Sequence, residues 1–323
     1  MAKLSVNHVT NHDTWSNLVV RSKQHSIYSD LKFLTSLGRR FELFSVSKGK
    51  EVKALFFVFL NDENKLEIDD YCIHNTILFI DDLNQKPVKR NQENFLIIEN
   101  ILEYTHAKYK SFAMSLCATV SDVRPFLWYN YFSNRMNDKC KIDIKYTATL
   151  DISELFLLKD DFSTKLFDNL ADQRKSDIRK AIDARCKFQK TNNLDVFVKM
   201  YTSMFKHKMI ELSENEIKKI RSIITALVFN NLASIFVVSD ENNEPMYSCV
   251  FSHHQNKGIY LYGAGNKQLM RRYDATYCIW ESMKAINKHG VSDVDFEGVN
   301  SPNRGSFKLG FGGRLESYYQ ITI

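Results

Sequence analysis

Two stretches of this chain carry the same three-strand pattern in the same register, and that repetition restricts the fold more than any other feature. FELFSVS (41–47), VKALFFVFL (52–60) and KLEIDDYC (65–72) read as strands joined by the polar turns KGKE and NDEN. ASIFVVS (233–239), PMYSCVFS (245–252) and GIYLYGAG (258–265) repeat the layout, with turns DENNE and HHQNK. Displacing residues 41–70 by 192 gives seven ungapped identities: Phe44/Phe236, Val46/Val238, Ser47/Ser239, Val58/Val250, Phe59/Phe251, Asn64/Asn256 and Lys65/Lys257. Each trio precedes a helical pattern (91–107 and 273–290) and then another strand (112–117 and 291–298). Chance similarity between meanders is the competing explanation; shared order, turns and register favour duplication of a mixed α/β unit. At about 150 residues per domain, 323 residues accommodate two copies. The boundaries fall at 1–150 and 151–314, with 315–323 a candidate to complete the first domain.

Only 11 glycines and 4 prolines punctuate the chain, so long elements with short turns are expected. Residues 13–35 read as helical and 143–152 as a strand. Ser163 to Cys186 reads as one long helical stretch, with Leu166, Leu170, Ile178 and Ile182 at helical spacing. Ser213 and Glu216 form a capping box ahead of EIKKIRSIITALVF, and the 273–290 helix ends at Gly290. A Gly-rich loop is expected after residue 298.

Hydrophobic residues are 44% and charged residues 25%, an ordinary globular balance. A chain this long buries about three quarters of its unfolded surface, so it needs neither disulfides nor a structural metal. Six dispersed cysteines without C-x-x-C read as reduced thiols, and nine histidines show no metal-ligand spacing. The longest apolar run, Ala54 to Leu60, falls short of the about 20 residues that span a bilayer. MAKLSVNHVTNHD has no apolar signal core, so a soluble, cytoplasmic protein is expected. The net charge is +6, and seven Lys or Arg between Arg174 and Lys190 face only Asp177 and Asp183. Such a stripe fits a phosphorylated ligand or nucleic acid, or simply a solvated helix face.

Three ordered stretches of the second half carry a family resemblance. FDNLADQRKSDIRKA (167–181), with its I-R-K-A run, resembles a helix of the Fem-like family of tandem GNAT-type transferases. YLYGAG (260–265) and the helix bearing Tyr277, Trp280 and Glu281 follow in that family's order. FEGVNSPNRGSFKLGFGG (296–313) matches its acidic-Gly turn and F-K-x-x-F-G-G segment. The first half matches in layout only.

The resemblance implies two tandem GNAT-like domains, each a mixed sheet flanked by helices, with the acceptor in a cleft between them. It implies transfer of an acyl or aminoacyl group onto a primary amine of an amino-sugar nucleotide or cell-envelope precursor. No permanently bound cofactor is implied; the donor cosubstrate is acyl-CoA or aminoacyl-tRNA. The chain lacks the helical coiled-coil arm of some members. It also lacks the R-x-x-G-x-G pyrophosphate loop of acetyl-CoA enzymes. Gln268 to Asp274 supplies Arg271 and Arg272 as donor-binding candidates but no glycine, which hinders close backbone approach to a diphosphate.

Amine acylation needs a deprotonated nucleophile, a partner for the oxyanion and a proton for the leaving group. Lys308 is the leading catalytic candidate: the family's matching lysine stabilises the acyl oxyanion, and Phe307 and Phe311 can keep its ammonium partly dehydrated. Its alternative is a loop-fixing pair with Glu297. Tyr260 and Tyr262, two apart on a strand, can share a face toward the site or sit at the core edge. Glu297, with Asp295, is a candidate base or a support for the Gly298 turn. Phe307, Arg304, Lys208, Arg174 and Arg179 are the acceptor-binding candidates; a solvated Lys208 and a domain–domain salt bridge for the arginines are the alternatives. Trp280, Tyr277 and Tyr273 are expected to pack in the core. The competing function is a non-catalytic module that holds a sugar nucleotide or RNA.

Overall fold

A computed structural model describes residues 3–80, 85–135, 138–157 and 162–323. The chain divides into two compact units, Met1–Lys145 with Ser317–Ile323, and Tyr146–Glu316.

In the first unit, β1 (Leu4–His8) leads to α1 (His12–Val19), whose N-terminal amides are capped by Asn11. The single helix expected over 13–35 is broken. Ser26 caps a short 3-10 turn and Asp30 caps α2 (Leu31–Ser36), since these side chains bond local amides in place of a continuing helix. Next come β2 (Phe41–Lys48), β3 (Glu51–Leu60), β4 (Leu66–Glu67), β5 (Leu78–Phe79), α3 (Pro87–Tyr109), β6 (Ala113–Ser115), α4 (Arg124–Trp128) and β7 (Lys141–Asp151). The β1-β2-β3-β4 ribbon is antiparallel, and β5 also pairs with β3. Ala54 to Leu60 is buried on both strand faces, which is why this stretch of β3 is apolar without alternation.

His74 lies in this core, edge-on to Tyr28 and Tyr318, and its Nδ1 has no hydrogen-bond partner among the described residues. Burial pushes its pKa from the usual 6.5 down to about 4. Between these values the unfolded chain takes up a proton that the folded chain refuses. Stability is therefore full above pH ~6.5 and falls by about 3 kcal/mol as pH drops toward ~4. Urea titrations across this window should show the loss, and His74→Phe should remove that part of it. Equal slopes in both proteins would contradict the assignment.

The second unit opens with two helices where one was expected: α5 (Lys165–Asp168), capped by Thr164, and α6 (Asp172–Asp183). The chain turns at Ala171, whose N–H donates to the Gly310 carbonyl at 2.9 Å. Then follow β8 (Lys187–Thr191), α7 (Leu194–His207), α8 (Glu214–Phe229) with its Ser213–Glu216 capping box, β9 (Ala233–Ser239), β10 (Pro245–His254), β11 (Lys257–Gly265), α9 (Arg272–Asn287) and β12 (Asp293–Asp295). The strand order is β7-β12-β11-β10-β9-β8, antiparallel except for β11–β12. Thus β8-β9-β10-β11 repeats the antiparallel order of β1-β2-β3-β4.

The Gly-rich segment after β12 is a helix, α10 (Pro302–Leu309), and not a loop. Pro302 starts it at the position where proline's fixed φ suits a first turn. Gly305 fits because a Cβ there would lie 2.5 Å from the Val299 carbonyl oxygen. The chain ends with β13 (Arg314–Thr322), whose Gln320–Thr322 pair with β6. Each unit has its own core, centred on Phe44, Phe56 and Ile101 in the first and on Phe236, Phe251 and Trp280 in the second. No helix among the described residues is long and apolar enough to cross a membrane.

Candidate active site

A cavity of about 570 Å³ opens in the second unit between α7, β11, the start of α9 and α10. A bulge in β11 shapes its wall: Tyr260 pairs with Phe251 and Tyr262 with Val250, leaving Leu261 as the extra residue. Strict alternation is broken there, so Tyr260, Leu261 and Tyr262 all line the cavity.

Tyr260 is buried, and its hydroxyl meets that of Tyr247 at 2.7 Å. Burial raises both phenol pKa values, so each is a neutral hydrogen-bonding group at neutral pH, not a base. The pair fits because residue 263 is glycine; a Cβ there would come within 1.8 Å of the Tyr260 hydroxyl.

Lys308 sits in the last turn of α10, half-buried. Its Nζ donates to the Gly298 carbonyl at 3.2 Å and lies 5.4 Å from the centre of the Tyr260 ring. Burial lowers its pKa, opposed by the charges of Glu297 and Asp295. The apolar neighbour is thus Tyr260; Phe311 instead packs on Phe296 and Phe307.

Glu297 lines the cavity in a left-handed conformation, φ +59°, unusual for a residue with a Cβ. The turn expected at Gly298 is therefore centred one residue earlier. Asp295 holds it, accepting from the Glu297 N–H at 2.7 Å and from the Thr147 hydroxyl. This turn also ends β12 short of the strand expected over 291–298. Burial raises the Asp295 pKa.

Arg174 is buried, donating to the Thr276 hydroxyl at 2.6 Å and pairing with Asp177 at 3.2 Å. Thr276 in turn donates to Asp177 at 3.0 Å, so the cluster ties α6 to α9. The Arg174 guanidinium covers the Phe307 ring at 4.6 Å and reaches the cavity wall. These partners all lie within the second unit, in place of a domain–domain salt bridge.

Lys208, Arg272 and Arg304 stand at the rim with Lys267; all four are exposed. Arg179 and Arg271 do not line the cavity. Arg179 is exposed over the Phe167 ring, 5.5 Å away. Arg271 is committed to the buried Asp274, whose carboxylate accepts its N–H at 2.6 Å and its guanidinium at 3.2 Å. That carboxylate lies fully buried in the first turn of α9, so the Arg271 guanidinium already has its counter-charge within the fold. Of the basic stripe 174–190, only Arg174 lines the cavity; the rest does not act as a unit there.

Among the described lining residues, six cations face one carboxylate, Glu297. The sequence reading missed Tyr201, Tyr247 and Lys267. Phe197, Tyr201 and Phe205 recur every fourth residue of α7, a legible signal, and Tyr201 stands 6.5 Å from Tyr262, ring to ring. Tyr247 had no such signal, because its role arises from contact across the sheet. Trp280 is in the core as expected, Tyr277 packs against it, and Tyr273 lies under the Arg271 guanidinium.

No protein-family model matches this chain, and no curated protein does. Solved structures do. FemX is similar at TM-score 0.66 and 12% identity, over 98% of this chain and 96% of FemX. A tandem GNAT protein from the clavulanic acid biosynthesis pathway gives 0.57 at 8%, over 99% and 98%. L-PGS from Bacillus licheniformis gives 0.53 at 11%, over 96% and 91%. The chain has the tandem GNAT fold that these likenesses define.

Proposed function

We propose that this chain is an N-acyltransferase working at the second-unit cavity. It moves an acyl or aminoacyl group onto a primary amine of a phosphate-bearing acceptor, an amino-sugar nucleotide or cell-envelope precursor. The observation that carries the reading is Lys308, a half-buried ammonium at the cavity wall beside a neutral tyrosine pair and a single carboxylate. The fold shared with FemX and a tandem GNAT protein supports the same chemistry.

In this reading the acceptor amine attacks the donor carbonyl, and Glu297 takes the proton the amine gives up. Lys308 stabilises the oxyanion; its ammonium interacts more strongly there than it would in water. The Tyr247–Tyr260 pair shares one hydroxyl proton internally and leaves the second for the departing oxygen or sulfur. As the carbon–nitrogen bond forms, the donor's ester or thioester bond breaks.

The rim cations would meet substrate phosphates. Lys267→Ala combined with Arg272→Ala should raise the Michaelis constant for the phosphorylated substrate by about tenfold at low salt, and by less as salt screens the charges. A constant unchanged at every salt concentration would remove the rim from the binding account. Tight binding of a sugar nucleotide or RNA without amine-dependent consumption of any donor would favour a binding module instead.

A further inference from the structure

Acyl transfer at the second-unit cavity passes through a tetrahedral carbon that carries four groups. Lys308 meets the oxyanion, Glu297 takes the proton from the amine, and a tyrosine hydroxyl supplies one to the departing atom. The fourth group is the acyl chain itself, and it needs a surface. The cavity divides by exposure. Lys208, Lys267, Arg272 and Arg304 are exposed at the rim, whereas Tyr247, Leu261 and Ala275 are between 6% and 8% exposed. Met270 joins them. A Cβ at residue 265 would collide with the Met270 Sδ and crowd the Tyr247 ring, so glycine there lets both come down onto β11. The floor made by β10, β11 and the start of α9 is therefore apolar.

Its polar atoms are engaged within the fold. The Tyr247 hydroxyl meets that of Tyr260 at 2.7 Å. Arg174, the one fully buried charge among the described lining residues, is paired with Asp177 and lies against the Phe307 ring. A charged group pressed onto this floor would lose its water and find no counter-charge. An apolar chain is stabilised there, and it covers surface that a single methyl would leave bare. The Met270 thioether can shift to suit chains of different length. Tyr201 and Phe205 on α7 are less buried, and the exposed Lys208 stands 5.8 Å from the Phe205 ring, a setting that suits the phosphate-bearing acceptor. Resting on the acyl-transfer reading, we propose that the transferred group is an apolar acyl chain longer than acetyl, held by Tyr247, Leu261, Met270 and Ala275. The same chemistry can arrive as a fatty acyl thioester or as an aminoacyl ester with an apolar side chain.

UDP-glucosamine is incubated with the full chain and two donor sets: acetyl-, butanoyl-, hexanoyl- and succinyl-CoA, or glycyl-, leucyl- and lysyl-tRNA. Mass spectrometry of the acceptor compares donors within each set and shows which carrier is used. The apolar donor should exceed both the smallest and the charged one by about tenfold or more in kcat/KM. Ala275→Leu fills the floor and should lower the hexanoyl-to-acetyl or leucyl-to-glycyl ratio by about tenfold; Met270→Ala opens it and should raise that ratio. Each variant's unfolding midpoint is measured beside its ratio. Transfer indifferent to length or charge, or ratios unmoved in both folded variants, would overturn the proposal. So would an equal rise in the acceptor's Michaelis constant with every donor, which would assign the floor to the acceptor. Binding of the bare product amide separates this proposal from the acyl-transfer reading. N-methylhexanamide should bind about tenfold tighter than N-methylacetamide in ligand-observed NMR, and Ala275→Leu should erase the difference. No transfer from any donor with that binding intact would sink the acyl-transfer reading and keep the apolar floor. No transfer with equal binding of the two amides would sink both.

Discussion

Lys308→Met is expected to lower turnover by about 100- to 1,000-fold, or roughly 2.7–4 kcal/mol of transition-state stabilisation, with little change in acceptor affinity. Methionine keeps most of the apolar length that lies along Tyr260 and removes the ammonium. The hydrogen bond to the Gly298 carbonyl is lost as well, so the unfolding midpoint must be measured beside the rate. A second signature is the pH profile. Burial lowers the Lys308 pKa, so the charged, active form is lost as pH rises, earlier than for an ordinary lysine. Wild-type turnover should fall along that alkaline limb, and the residual rate of the variant should not. A folded variant with near-normal turnover would make Lys308 a structural residue.

Asp177→Ala should destabilise the second unit by about 3–5 kcal/mol, the usual consequence of leaving a buried cation without its counter-charge. Arg174 is 7% exposed and Asp177 1% exposed, so little water can replace the lost carboxylate. Burial already lowers the Arg174 pKa, and the Asp177 charge is the main opposing influence. The Thr276 hydroxyl would lose its acceptor too, loosening α6 from α9 beside the cavity wall. Urea unfolding followed by tryptophan emission measures this, with Trp280 in the second core as the reporter. A loss below about 1 kcal/mol would mean that the guanidinium swings out to solvent and that the cluster is dispensable.

These residues also show what could be read from the chain and what could not. The two antiparallel meanders were legible because apolar runs bounded by polar turns depend on local sequence, as with Phe41–Lys48 and Ala233–Ser239. The capping box at Ser213 was legible for the same reason. The segment holding Lys308 was misread as a loop because its glycines suggested flexibility. Gly305 answers instead to a carbonyl pressed against α10, which only the folded packing supplies. The break between α5 and α6 likewise depends on a hydrogen bond to Gly310, over a hundred residues away. At the cavity, Tyr260, Tyr262, Glu297, Phe307 and Lys308 come together, whereas Arg179 and Arg271 do not. Charge at a matching position did not reveal that Arg271 was already committed to Asp274. Tyr247 could not have been selected beforehand, since its partner is set by strand register and by Gly263 leaving room for both rings.

The central claim is acyl transfer to an amine, and mass spectrometry of the acceptor tests it most directly. Amino-sugar nucleotides and cell-envelope precursors bearing a primary amine are incubated with the full chain and either charged tRNA or mixed acyl-CoA. The account predicts a mass gain of one acyl or aminoacyl group on the amine, lost when the amine is blocked in advance and reduced by about 100-fold or more with Lys308→Met. Unchanged acceptor masses with every donor, from a chain that binds those acceptors tightly, would contradict it.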